Sequence, residues 1–93
     1  MNLTTQQLEE LEHLAGLFFS VPDILIALEI PFHEEEHFND IILYQNRHPV
    51  FMAYHKGRLT AETQLRQAIR QAALNGSNPA QTTMLEFYSK SKP

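Results

Sequence analysis

The stretch PVFMAYHKGRLTAETQLRQAIRQAALNG, from Pro49 to Gly76, limits what this chain can fold into more than any other. Proline is welcome in the first turn of a helix, where its missing N–H costs nothing. Glycine is welcome just past a helix end, where the backbone turns left-handed. Between them Ala61, Leu65, Ala68, Ile69 and Ala72 recur at three- and four-residue steps, which predicts one side of a helix. The interior is rich in Ala, Leu, Gln and Arg, all strong helix formers. About 26 residues at 1.5 Å each make a rod of roughly 39 Å, on which the shorter segments must pack. Gly57 interrupts the helix formers, and marks either a bend or a close approach of another helix.

The rest of the chain punctuates itself into four shorter helices. Thr4 or Thr5 can cap the first, in which Leu8, Leu11, Leu14, Ala15 and Phe18 form an apolar stripe. Ser20-Val21-Pro22-Asp23 resembles a capping box and opens a second helix that is apolar almost all round, ended by Ile30-Pro31. A third, from about His33 to Tyr44, has Phe38, Ile41 and Ile42 on one face and Glu36 and Asp40 on the other. After the long helix, Ser77 or Asn78 caps a fifth, in which Ala80, Met84, Phe87 and Tyr88 can lie back on Leu65, Ile69 and Ala72. The residues from Lys90 to Pro93 are expected to fray. The prediction is a single all-α domain over 1–93, with a helix-turn-helix-like part over 20–46. A long helix over 49–75 and a C-terminal helix over 79–89 complete the five.

Charge is divided unevenly. Residues 1–46 hold nine acidic residues and no Lys or Arg, whereas residues 47–93 hold seven Lys or Arg against Glu62 and Glu86. The halves are therefore −9 and +5, giving the net −4. Such a division suits either one half docking on the other or a partner for each half. The chain contains no cysteine, which excludes disulfides and thiolate metal sites. No apolar run reaches the length of a membrane span, and no N-terminal leader pattern appears, so a cytoplasmic location is expected.

Two motifs carry chemistry in principle. His33-Glu34-Glu35-Glu36-His37 matches H-E-x-x-H, in which two His one helical turn apart bind zinc and the Glu acts as base. A catalytic zinc also needs a third protein ligand, and the placement of His13, His48 and His55 does not supply one. An acidic helix N-terminus, favoured by the macrodipole, accounts for the same residues. No catalytic residue, cofactor or metal is assigned. The second motif is the helix pair joined at Ile30-Pro31-Phe32, of a size that fits a helix-turn-helix. Its second helix lacks the Lys and Arg on which DNA affinity rests. DNA contacts must then come from Arg47, Lys56 and Arg58, with Asn39, Gln45 and Asn46 as polar partners.

Ala53-Tyr54, Gly57, Ala72-Ala73, Gly76, Pro79 and Ala80, with LAGLFFSVPDILIALEIPF upstream, resemble the N-terminal, DNA-binding part of phage small terminase subunits. The resemblance spans roughly residues 14–88. It implies recognition of double-stranded viral DNA for packaging in a host cell, assembly as a ring, and contact with a packaging motor subunit. The acidic third helix departs from that pattern. So does the lack, after residue 88, of that family's C-terminal assembly and motor-binding region. The alternative, from a different class, is a helical adaptor or oligomerisation module that binds protein only. For self-association the expected interface residues are Phe51, Arg66, Arg70 and Phe87, with the opposite charges meeting head to tail.

Overall fold

The computed structural model describes residues 1–91 and contains five α-helices, with no strand among the described residues. They are α1 (Thr5–Gly16), α2 (Val21–Ala27), α3 (Glu35–Tyr44), α4 (Pro49–Leu74) and α5 (Asn78–Ser91). A 3-10 turn, Phe32–Glu34, precedes α3. The chain divides into two compact units, residues 1–61 and 62–93, with the boundary inside α4. Lys92 and Pro93, part of the segment expected to fray, lie outside the described residues. Lys90 and Ser91 continue α5.

Helix starts follow their capping chemistry. Thr4 accepts from the Gln7 backbone N–H at 3.1 Å, and the Gln7 side chain accepts from the Thr4 N–H at 2.9 Å, a complete capping box. The Gln7 amide also donates to the Leu28 carbonyl at 3.3 Å, tying the start of α1 to the end of α2. Ser20 caps α2 through the Asp23 N–H, and Ser77 caps α5 through the Ala80 N–H. At α4 the cap is a histidine: His48 Nδ1 accepts from the Val50 N–H at 3.1 Å.

Helix ends are less conventional. α1, α2 and α4 all finish with the paired 6→1 and 5→2 hydrogen bonds of a Schellman motif, made by Phe19 and Phe18, Ile30 and Glu29, and Ser77 and Gly76. The residue that turns left-handed is glycine only at the last, Gly76 with φ +95°. At the other two it is Phe18 (φ 62°) and Glu29 (φ 59°). α2 thus stops at a left-handed Glu29 before the Ile30-Pro31 pair is reached. An L-residue in that conformation carries a steric cost of roughly 1–2 kcal/mol, and a carboxylate beside a helix C-terminus is unfavourable as well. Glu29→Asn relieves both, and is expected to raise stability by about 0.5–1 kcal/mol in a urea titration. An unchanged or lower midpoint would mean that the Glu29 side chain makes a compensating contact.

Unit 1 carries the core. Leu11, Ile24, Leu25, Leu28, Phe38, Ile41, Ile42 and Val50 are buried together, contributed by α1, α2, α3 and the first turn of α4. The α3 face read from the sequence is the buried one, and Glu36 and Asp40 are exposed. α2 is less enclosed than its composition predicts: Ile24 and Leu25 are buried, whereas Ile26 is 61% exposed. Gly57 is buried because α1 crosses it closely. A Cβ built there would lie 2.0 Å from the Glu12 carbonyl oxygen. Of the two readings of Gly57, the close helix contact is the one the structure contains.

Unit 2 is a helical hairpin made by the last turns of α4 and all of α5. Among its described residues only Ala80 is buried, and it keeps 9% exposure. Ile69, Ala72, Met84 and Phe87 are half-buried, while Leu65, Leu74, Leu85 and Tyr88 are exposed. The Gln81 amide donates to the Ala73 carbonyl at 3.1 Å, across the hairpin.

Candidate nucleic-acid interface

The residues expected to contact DNA fall at three places in unit 1. Gln45, Asn46 and Arg47 form the exposed turn between α3 and α4, closed by a hydrogen bond from the His48 N–H to the Gln45 carbonyl at 2.9 Å. Asn39 is half-buried on α3, six residues before Gln45. The Gln45 amide donates to Asp40 Oδ2 at 2.9 Å, so the nearest carboxylate of α3 is engaged by the turn.

Lys56 and Arg58 sit elsewhere. They flank Gly57, and at about 100° per residue they lie about 200° apart around α4, on opposite sides of the α1 crossing. Lys56 is exposed, with its ammonium 3.8 Å from Glu12. Arg58 is half-buried, with its guanidinium 5.2 Å from the Phe18 ring centroid and 5.6 Å from that of Tyr54. Its Nη1 also lies 3.5 Å from the Tyr54 hydroxyl. Cation–π contacts of this kind hold a side chain in place. Here they fix the end of α1, where Phe18 turns left-handed, against α4. The three cations of unit 1 therefore do not form one patch, and Arg47 alone stands among exposed polar neighbours.

The outward side of α3 is acidic and apolar together. Glu36 and Asp40 are exposed, Leu43 is 65% exposed and Tyr44 75%. An open hollow beside them is lined by Phe32, His33, Glu35, Glu36 and Asn39. The H-E-x-x-H segment does not lie on one helix. His33 belongs to the 3-10 turn and His37 to α3. Both imidazoles approach Glu34, at 3.7 Å for His33 and 3.4 Å for His37. Among the described residues no three His, Cys, Asp or Glu side chains are grouped to hold a metal ion.

Of the residues expected at a self-association interface, three are engaged within their own units. Phe51 is half-buried against the core, with its ring 4.1 Å from that of His55. Phe87 is covered by the Arg66 guanidinium, which lies 4.0 Å from its ring centroid. Arg70 is exposed. Sequence reasoning missed His55, whose Nε2 donates to the Ile42 carbonyl at 2.7 Å. That carbonyl is in the last turn of α3 and has no partner within its own helix, so His55 caps α3 from α4. The exposure of Leu43 was also missed, although it follows from the same periodicity that buried Phe38, Ile41 and Ile42.

No family model, curated protein or solved structure matches the chain. Among the described residues no helix is long and apolar enough to cross a membrane.

Proposed function

We propose that this chain is a non-enzymatic DNA-binding protein of phage or prophage type, resembling the DNA-binding part of a small terminase subunit and acting on double-stranded viral DNA. The observation that carries the reading is the turn between α3 and α4. Exposed Arg47, with Gln45 and Asn46 beside it, offers a cation for a phosphate and amides for phosphate or base edges. Asn39 extends that surface along α3, and Lys56 contributes after release from Glu12. Arg58 serves mainly to fix α1 against α4. Two features differ from a helix-turn-helix of the usual kind. The connection from α2 to α3 runs from Leu28 to Glu34, longer than the three or four residues customary in that motif. The α3 body itself presents carboxylates.

A second reading, a helical adaptor that binds protein only, is favoured by that acidic, apolar side of α3. A salt titration of duplex binding separates the two. With one or two cations at the phosphates, log affinity is expected to fall with log salt with a slope of about −1 to −2. Arg47→Ala is expected to weaken binding to all sequences and reduce the slope by about one. Absence of duplex binding at low salt would leave the adaptor as the function.

A further inference from the structure

We propose that the outward side of α3 is a docking surface for a second copy of this chain, and that it receives the Arg66-Arg70-Leu74 row of the partner's α4. The observation is a match between two helix faces. On α3, Glu36, Asp40 and Tyr44 recur at four-residue steps up to the helix end, with Leu43 alongside. On α4, Arg66, Arg70 and Leu74 recur at the same step, also up to the helix end. Each row therefore reads charge, charge, apolar in the same order, with a pitch of about 6 Å. One is acidic and the other basic. All six residues are exposed, the apolar ones strongly so: Tyr44 75% and Leu74 70%.

Two further features fit that occupant. The Arg66 guanidinium sits over the Phe87 ring, 4.0 Å from its centroid, so less side-chain freedom is lost when it meets a carboxylate. The opposite pairing, unit 1 on unit 1, would bring −6 against −6, counting nine acidic residues and Arg47, Lys56 and Arg58 over residues 1–61. The contact is heterologous, because two different surfaces meet, and it propagates into a ring or a short filament. Phe51 and Phe87, being half-buried, stay out of it. The acidic row ends beside the turn that carries the DNA-binding reading, whereas the basic row of α4 contains none of the residues assigned to DNA.

The test uses the full chain in sedimentation velocity over a concentration series at low and high salt, with two charge-reversed variants. E36K/D40K leaves both rows basic, and R66E/R70E leaves both acidic. Every altered side chain is exposed, and circular dichroism checks that each variant folds. The wild type is expected to assemble at low salt and to dissociate as salt rises, because exposed pairs are screened. Each variant alone is expected to lose association at least ten-fold. Their equimolar mixture is expected to regain it, because each junction again joins an acidic to a basic row. Net charge does not drive that recovery. The reversals move the net −4 to 0 in the first variant and to −8 in the second. A wild type that stays monomeric throughout would overturn the proposal. So would variants that assemble as well as the wild type, or a mixture that fails to recover. Duplex binding measured on the wild type and on R66E/R70E, which leaves the α3–α4 turn untouched, reports separately on the DNA-binding reading.

Discussion

Gly57→Ala is expected to lower the melting temperature by about 5–15 °C. Two terms oppose each other. Alanine in a helix interior gains about 1 kcal/mol over glycine through backbone entropy. The added Cβ, however, would lie 2.0 Å from the Glu12 carbonyl oxygen and 2.8 Å from its carbon. These are backbone atoms in the middle of α1, which no rotamer change can move aside. The helices must separate, and overpacking of that kind costs about 1–3 kcal/mol and occasionally more. The neighbouring glycine sets the scale. A Cβ on Gly16 would meet the Gly57 oxygen at 3.0 Å, so Gly16→Ala is expected to cost less. Thermal melts of the two variants measure the difference. A Gly57→Ala protein that melts with the wild type would mean that α1 and α4 are not in contact there.

The second large effect concerns Phe38. Its side chain is fully buried, and its ring stands edge-on to Tyr54 of α4, with centroids 6.5 Å apart. Phe38→Ala is expected to cost about 3–5 kcal/mol in a urea titration, part of it from the lost aromatic pair. That is a large share of the stability of so small a protein, so the variant is expected to be partly unfolded at room temperature. Phe32, six residues earlier, is 59% exposed, and Phe32→Ala is expected to change stability by no more than about 0.5 kcal/mol. Equal losses from the two variants would contradict this assignment of the core.

These residues also mark what the sequence can and cannot convey. Thr4, Ser20, Pro49, Gly76 and Ser77 announce helix boundaries because the chemistry that makes each boundary belongs to the residue itself. Phe18 and Glu29 announce nothing, since both are ordinary residues held left-handed by hydrogen bonds from their neighbours. The α3 periodicity located Phe38, Ile41 and Ile42 correctly because one helix face is a local property. Burial of α2 depends on what surrounds it, and a composition apolar almost all round does not tell buried Ile24 from exposed Ile26. The cations were the least legible. Lys56, Arg58 and Arg66 read alike on paper, yet one meets Glu12 and the others lie against aromatic rings. Those partners are 44, 40 and 21 positions away for Glu12, Phe18 and Phe87 respectively.

The continuity of α4 through both units bears on how the chain folds. A hairpin in which Ala80 is the one buried side chain among the described residues holds too little apolar area to offset the entropy of ordering its two helices. Starting an isolated helix is slow and unfavourable, because several residues must be fixed for the first hydrogen bond, whereas extending an existing one adds a bond per residue. The first turns of α4 are seeded by the core around Val50, and residues 62–74 need only extend what is already wound. Unit 2 thus inherits its helix from unit 1, and α5 has a formed surface to fold back upon.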